Sequence, residues 1–480
     1  MKKTNIIRPK ITVLDDTQRN RIHTDSLQIL SSVGVRVDSE KARRIFKKVI
    51  GSKAINNDIV RIPSELVENA LKAASSSISI YNRKGAFAFH LPGETRFGIG
   101  VTALNYQDPE TDKAVPFTRR HMEIAVRLGE TLPSFDVIST IGIIQDVPGE
   151  VSDLYAALEM TSNTEKPLVI LVSDGFAFPY ILDLLEHLHG DLATKPFIIP
   201  YFNPITPLVI NQDTADKMLV TIERGLPFIF SNLGMAGATT PITPAGSLSL
   251  LNAELLAGLT LSQLIKEGTP IILGSLPAFF DMKGAENFYD SKSYLISLAC
   301  AEMMSYYHLP HSGTSGSGMG WGADLIAGGH QWFNHLTSCM GTAGLVPFVG
   351  DILGGKVFSP AIPVYANEII EQARLFVKGF DMDDAAAAMD EIAQIGPGGH
   401  FLTSDQTFKH FRQAYYQSDI FPQLTFEEWQ DRGFPQVDNL LKRHTCKLIN
   451  SLHKPDDHED LMAKGEAFVN KFLAKKRRIL

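Results

Sequence analysis

Cysteine, tryptophan and long apolar runs are all scarce in this sequence. Its 480 residues include only three cysteines and three tryptophans. Cys300, Cys339 and Cys446 are far apart and no two of them have CxxC spacing, which disfavours both a disulfide framework and a thiolate zinc site. We therefore expect that no metal is needed and that the chain works in a reducing cytoplasm.

Several other features are missing, and each excludes a class of function. No apolar block follows the first lysines, and no uncharged apolar run reaches the ~18 residues of a membrane span. The formal net charge is -8, and only residues 475–478 form a basic cluster, so neither nucleic acid nor a membrane is an expected partner. The sequence also has no GxSxG, P-loop or HExxH motif.

The apolar pattern alternates between extended and helical segments from about residue 96. Predicted strands cover residues 97–103, 135–144, 168–172, 196–201, 227–231, 270–273, 309–314 and 346–350. Predicted helices follow them at 118–128, 151–161, 180–189, 214–224, 248–266, 290–307, 324–340 and 366–378. Eight strand–helix units in an α/β chain of this length predict a (β/α)8 TIM barrel, with an open doubly wound sheet as the alternative.

The sequence divides into three regions around this repeat. Residues 1–95 are predicted to be a helical entry region, and residues 96–380 the catalytic barrel. Residues 381–480 are predicted to be a helical region packed on the barrel, with helices over 381–395 and 404–416 and two amphipathic helices after 435.

A glycine-rich stretch after the seventh predicted strand is the main candidate for a ligand-facing loop. Residues 311–330 read HSGTSGSGMGWGADLIAGGH and contain seven glycines together with Trp321. Glycine lets the backbone approach a ligand closely, and binding residues concentrate on loops held by a rigid scaffold. A flexible surface connection is the alternative. In a barrel, such a loop lies at the carboxyl ends of the strands, where active sites form.

Three segments of the sequence resemble a known family. They are IHTDSLQILSSVGVRVDS at residues 22–39, GMAGATTPITPAGSLSLLNAELLAGLTL at 234–261 and EIAQIGPGGHFLTSDQTFKHFR at 391–412. All three are similar to the corrinoid-dependent trimethylamine methyltransferase family. The resemblance implies a barrel whose mouth docks a separate corrinoid protein, and methyl transfer from a methylated amine to cob(I)alamin.

The resemblance also bears on the substrate. Trimethylamine-specific members carry pyrrolysine, whereas this chain has only standard residues near Trp321. Members without pyrrolysine resemble enzymes for quaternary amines, so we expect glycine betaine as substrate and dimethylglycine as product. Proline betaine, carnitine and γ-butyrobetaine remain alternatives, as does a non-catalytic module that binds betaine or docks the corrinoid protein. A homo-oligomer is also left open.

The expected site follows from the charge of a quaternary ammonium, which cannot donate a hydrogen bond but is attracted to aromatic faces. Trp321 is the expected catalytic cage residue, and His311 is the expected partner of the substrate carboxylate. The other expected substrate-binding residues are Tyr106, Phe97, Tyr201, Phe202, Asn203, Phe358 and, more weakly, Arg96. Gly316, Gly318 and Met235 are expected to contact the corrinoid. The chain lacks a DxHxxG motif, so we expect it to hold no cobalamin by itself and to act on the cofactor of its partner.

Overall fold

Eight parallel strands close into a barrel in a computed structural model of the chain, which describes residues 6–313 and 318–476. The strands are β1 (Arg96–Ile99), β2 (Val137–Ser139), β3 (Leu168–Leu171), β4 (Ile198–Phe202), β5 (Phe228–Ala236), β6 (Ile271–Asp281), β7 (His311–Ser312) and β8 (Leu345–Val349). Each strand pairs with the next along the chain, and β8 pairs with β1. The predicted TIM barrel is therefore confirmed, and the open sheet is excluded.

One helix follows each strand and packs outside the barrel. The helices are α1 (Arg119–Thr131), α2 (Gly149–Asn163), α3 (Phe178–His189), α4 (Gln212–Glu223), α5 (Pro244–Ile265), α6 (Ser291–Tyr306), α7 (Leu325–Met340) and α8 (Ala361–Lys378). Three of these helices begin at an N-cap residue: the Thr118, Asp290 and Asp324 side chains accept hydrogen bonds from backbone N–H groups in the first turns of α1, α6 and α7.

The strands bury both of their faces, which explains their almost continuous apolar sequences. One apolar cluster fills the barrel interior and includes Val169, Ile199 and Ile229. A larger cluster between strands and helices contains the neighbours that point the other way, such as Leu168, Ile198 and Phe228. Adjacent residues of one strand therefore alternate between the barrel interior and the layer between strands and helices.

The N-terminal region packs on the barrel at two places: its hairpin closes the amino end, and its strand Val35–Val37 pairs with Val209–Ile210 in the loop after β4. It contains the helices Asp16–Gln28, Glu40–Ile50 and Ser64–Ala73, a π-helical turn Ile29–Val33, the short strands Val35–Val37, Ile55–Asn56 and Ile59–Val60, and the hairpin Ile78–Tyr81 with Phe87–Leu91. The hairpin places Ile80, Phe89 and Leu91 in the interior cluster, and Tyr81 N donates to Pro196 O over 3.0 Å.

The C-terminal region differs from its prediction between residues 381 and 416. The single helix expected over 381–395 is two short helices, Asp384–Ala387 and Met389–Ile395, because Ala388 adopts a left-handed φ of 49°. The helix expected over 404–416 covers only Asp405–His410. A further short helix, Phe426–Asp431, precedes Val437–Asn450 and His458–Lys476, and the last of these packs against α2 and α3.

One barrel helix has the length and composition of a membrane span. α5 (Pro244–Ile265) reaches a mean hydropathy of 1.4 over its most apolar window, and 89% of that window is buried inside the fold. Gly258 lies where α5 crosses β5, and a Cβ there would come within 2.3 Å of the Phe230 ring. The apolar character of α5 is thus accounted for by close packing around the barrel.

Candidate active site at the barrel mouth

Two aromatic rings form the floor of the barrel mouth. Tyr201 at the end of β4 and Phe348 at the end of β8 pack edge to face, with ring centroids 5.0 Å apart. Both rings lie in the interior cluster beside Leu171 and Leu276. Burial raises the pKa of Tyr201 to about 12, so its hydroxyl is neutral at physiological pH. The floor therefore offers apolar ring faces and no charge.

A polar cleft of about 290 Å³ opens beside this floor, over the carboxyl ends of β2, β3 and β4. Its walls include Tyr201, Asn203 and the buried Lys217 of α4. The Lys217 ammonium donates to Val172 O over 3.0 Å and pairs with Asp213 at 2.5 Å. An ammonium has three N–H groups, so one remains for a ligand. The volume is at the lower end of the range for small-molecule pockets.

Asp351 is a buried carboxylate at the carboxyl end of β8. Its Oδ2 accepts a hydrogen bond from Gly318 N over 2.7 Å. Burial raises the pKa of Asp351 to about 7, even though the Gly318 N–H favours the charged form. Gly318 has no space for a side chain, because a Cβ would lie 1.8 Å from Asp351 O. The expected corrinoid-contacting Gly318 thus has a structural role that requires glycine.

The glycine-rich loop brings Trp321 to the outside of the mouth. The Trp321 side chain is 74% exposed. Its backbone N donates to Asp324 Oδ2 over 2.8 Å, and its carbonyl accepts from Gln107 Nε2 over 3.4 Å. Among the described residues, no aromatic ring packs against the Trp321 indole. Trp321 therefore lies on the rim and is not enclosed by the other expected cage residues.

Tyr106 and Phe358 belong to a separate aromatic cluster in the loops of the mouth. Tyr106 stacks on His121 at 4.1 Å, and its centroid is 6.2 Å from that of Phe358. The two residues lie on the paired strands Asn105–Gln107 and Val357–Phe358, which form a small sheet with Ala114–Pro116 and Asp351–Ile352. Burial raises the pKa of Tyr106. This cluster fixes the loops after β1 and β8.

Phe97 and Phe202 point away from the mouth, contrary to expectation. Phe97 packs on His335 of α7 at 5.2 Å, and Phe202 lies between Phe178 and Phe228 at 5.5 and 5.6 Å. Both side chains occupy the layer between strands and helices. Period-two alternation places Gly98 and Tyr201 on the interior face instead. Phe97 and Phe202 therefore cannot line a cage at the mouth.

The two residues expected to bind the substrate carboxylate are also elsewhere. His311 faces a small space between α6 and α7, where its Nδ1 lies 2.8 Å from Ala343 O. Burial lowers the pKa of His311 to about 4, so the ring is neutral. Arg96 lies at the amino end of β1 and pairs with Asp136 at 3.0 Å. Neither group reaches the cleft lined by Lys217.

The other expected contacts lie at or near the rim. Asn203 lines the cleft and donates to Ser231 O over 2.8 Å. Met235 is partly buried near the end of β5, where its carbonyl accepts from Ala238 N and Thr239 N. Gly316 lies outside the described residues.

Exposed apolar side chains surround the mouth. The loop after every strand except β2 presents at least one of them. They are Leu104, Phe176, Ile205, Ile242, Met282, Phe288, Trp321 and Leu353, and Leu325 at the start of α7 adds another. We call this set the apolar rim. Apolar side chains exposed around an opening are candidates for an interaction site.

Sequence reasoning missed three residues of the mouth. Phe348 is inside the apolar run of β8, and a register irregularity between Val346 and Val349 decides which way its ring points. Lys217 is the only cation in its helix, and Asp351 directly follows the predicted strand 346–350, but neither residue has a neighbouring motif that marks it as functional. Within residues 6–313 and 318–476, no group of three or more His, Cys, Asp or Glu side chains is arranged so that it could hold a metal ion; the expectation that no metal is needed stays a prediction.

The chain is similar in sequence to a known protein family. Residues 2–478 match the Trimethylamine methyltransferase (MTTB) family. The chain is 27% identical to trimethylamine methyltransferase MttB of Desulfitobacterium hafniense over 446 residues, covering 90% of this chain and 89% of that protein. It is 26% identical to the glycine betaine methyltransferase of the same species over 470 residues, covering 96% and 97%.

Among solved structures, the monomethylamine methyltransferase of Methanosarcina barkeri aligns with a TM-score of 0.47 and 11% identity, covering 94% of this chain and 97% of that one. The family match spans almost the entire chain, including every strand of the barrel. The chain therefore belongs to the trimethylamine methyltransferase family.

Proposed function

We propose that this protein transfers a methyl group from glycine betaine to the cob(I)alamin of a separate corrinoid protein and releases dimethylglycine. The observation that carries the proposal is the Tyr201–Phe348 pair at the floor of the mouth in a methyltransferase-family barrel. A glycine betaine methyltransferase that matches over nearly its whole length supports the choice of substrate.

The ring pair suits a quaternary ammonium for a physical reason. Such a cation has no N–H to donate, so polar acceptors gain little from it, whereas ring faces attract its diffuse charge by ~0.5–2 kcal/mol each. Because Tyr201 and Phe348 are buried and water would screen the attraction little, we expect the interaction energy to lie at the upper end of this range.

The remaining task of the protein is positioning. Cob(I)alamin supplies the nucleophile, and the methyl carbon passes from nitrogen to cobalt while the electron pair of the broken bond stays on nitrogen. The amine leaves neutral, so the reaction needs no general acid. The barrel must hold the N–CH₃ bond in line with the acceptor.

Lys217 replaces His311 and Arg96 as the proposed partner of the substrate carboxylate. Its ammonium lines the same cleft as Tyr201 and has one N–H free after Val172 O and Asp213. Binding through opposite ends would orient a zwitterion, with its methyl groups over the rings and its carboxylate at α4. Trimethylamine has no group for Lys217, which favours a betaine as the substrate.

The apolar rim is the proposed docking surface of the corrinoid protein. It surrounds the opening through which a partner must present its cofactor, and Trp321 and Leu325 are its most exposed members near α7. Charged residues are depleted and aromatic residues enriched in the cores of such interfaces.

The decisive experiment is a methylation assay with free cob(I)alamin. We expect the absorbance of methylcobalamin to appear with glycine betaine and not with trimethylamine. Proline betaine, carnitine and γ-butyrobetaine are tested in parallel and would identify a different substrate of the same class. If the protein binds betaine but no methylcobalamin forms, even when the corrinoid protein is present, the protein is a non-catalytic betaine-binding module and the proposal is refuted.

A further inference from the structure

The Asp351 carboxylate is buried at the carboxyl end of β8, beside the mouth. Its side chain is 0% exposed. One carboxylate oxygen accepts from Gly318 N over 2.7 Å, and the other, Oδ1, has no hydrogen-bond partner among the described residues. A Cβ on Gly355 would lie 3.8 Å from Asp351 Oδ2 and 3.7 Å from Val101 Cγ2. The carboxylate is thus held where β8, β1 and the loop after β7 meet.

Among residues 6–313 and 318–476, no lysine or arginine pairs with this carboxylate. The Asp351 charge contributes to raising the pKa of the buried Tyr294 hydroxyl of α6, which contacts His330 Nδ1 of α7 at 3.1 Å. The nearest lysine along the chain, Lys356, pairs with Glu286 in the hairpin after β6. A buried carboxylate that has neither a cation nor a full set of hydrogen bonds is costly, and groups with strongly perturbed pKa values cluster at functional sites.

We propose that Asp351 is a substrate-binding residue whose carboxylate is the counter-charge for a quaternary ammonium at the barrel mouth. The proposal rests on the proposed function for the choice of cation. Phe348 is three residues before Asp351, so one strand end carries both a ring and a negative charge.

Glu254 shows what a buried carboxylate looks like when the fold itself satisfies it. It lies between α5 and β5, where burial raises its pKa to about 7 as well. Its oxygens accept from Leu208 N at 2.6 Å, Asn232 Nδ2 at 2.8 Å and Thr206 Oγ1 at 2.9 Å. Glu254 is therefore a matched control, equally buried but with its partners in place.

The first test uses wild-type protein and tetramethylammonium, a quaternary cation with no titratable group. Because the cation binds the ionised carboxylate, affinity should fall up to tenfold per pH unit below about pH 7 and be constant above it. Calorimetry in two buffers of different ionisation enthalpy should detect release of close to one proton per cation bound at about pH 6. Binding without proton release and without pH dependence would overturn the proposal, and this result requires no variant.

The second test compares Asp351→Asn with Glu254→Gln. Asp351→Asn should weaken tetramethylammonium binding at least tenfold at about pH 8 and abolish its pH dependence, whereas Glu254→Gln should retain both. Circular dichroism is used to check that each variant is folded. A folded Asp351→Asn protein with wild-type affinity and pH profile would overturn the assignment.

Failure of the proposed function can be distinguished from failure of this inference. If no betaine methylates cob(I)alamin while tetramethylammonium still binds in an Asp351-dependent manner, the cation site stands and methyl transfer is refuted. If methylation proceeds unchanged in Asp351→Asn, the function stands and the counter-charge is refuted.

Discussion

Replacing Phe348 by leucine tests whether the ring pair at the mouth binds the cation. The substitution retains apolar bulk and removes the aromatic face that lies 5.0 Å from Tyr201. A ring interacts with a cation by ~0.5–1 kcal/mol when exposed and by ~2 kcal/mol when desolvated. Phe348 is 6% exposed, so we expect a loss of about 1–2 kcal/mol, which corresponds to a 5- to 30-fold increase in the Kd for betaine.

The assay is calorimetric titration with glycine betaine, together with thermal unfolding. Leucine in place of phenylalanine costs roughly 1 kcal/mol of stability in a packed core, so the variant should remain folded. Phe358→Leu is the matched control, because Phe358 is also buried but packs on Tyr106 in the separate loop cluster. It should lower the unfolding temperature similarly without changing the Kd. The reverse result, with Kd altered by Phe358→Leu and not by Phe348→Leu, would refute the assignment of the cage to the floor.

The remaining predictions concern other parts of the molecule. Lys217→Met should weaken binding of glycine betaine about tenfold but leave tetramethylammonium unaffected, since only betaine has a carboxylate; equal effects on both ligands would contradict this. Trp321→Ala should raise the KM for the corrinoid protein severalfold and alter the betaine Kd little, measured in the coupled methylation assay. In the wild-type protein, Glu254 should make the free energy of unfolding decrease as the pH rises from about 5 to 7. In Glu254→Gln this decrease should be smaller by up to ~1.4 kcal/mol per pH unit, measured by urea unfolding. The sign follows because the raised pKa of Glu254 lets the folded state hold a proton that the unfolded state has lost, so stability falls as the pH rises to about 7. We expect the chain to self-associate through Leu402 and Phe408, which lie exposed on a C-terminal segment of short helices, and polar replacement of both should lower the mass measured by light scattering.

The barrel could be predicted because its signals are local. Each strand is a short run of apolar residues, and each helix has the length needed to return the chain to the same end of the sheet. α5 is a clear case, since its small and apolar residues fit a helix buried against β5 at Gly258. The C-terminal helices were less predictable, because Ala388 adopts a left-handed conformation that an alanine-rich sequence does not indicate.

Local sequence patterns were sufficient to predict the eight strand–helix units, and three long segments were sufficient to predict the family. Which side chains reach the candidate site depends instead on how the strands pair. Tyr201 and Phe202 are neighbours in β4, but pairing of the strand with β3 and β5 turns the first into the barrel and the second towards the helices. Likewise, the irregular pairing of β8 with β1 directs Phe348 inward. The physical reason is that side chains alternate with a period of two, so a shift of one residue in register exchanges the two faces of a strand.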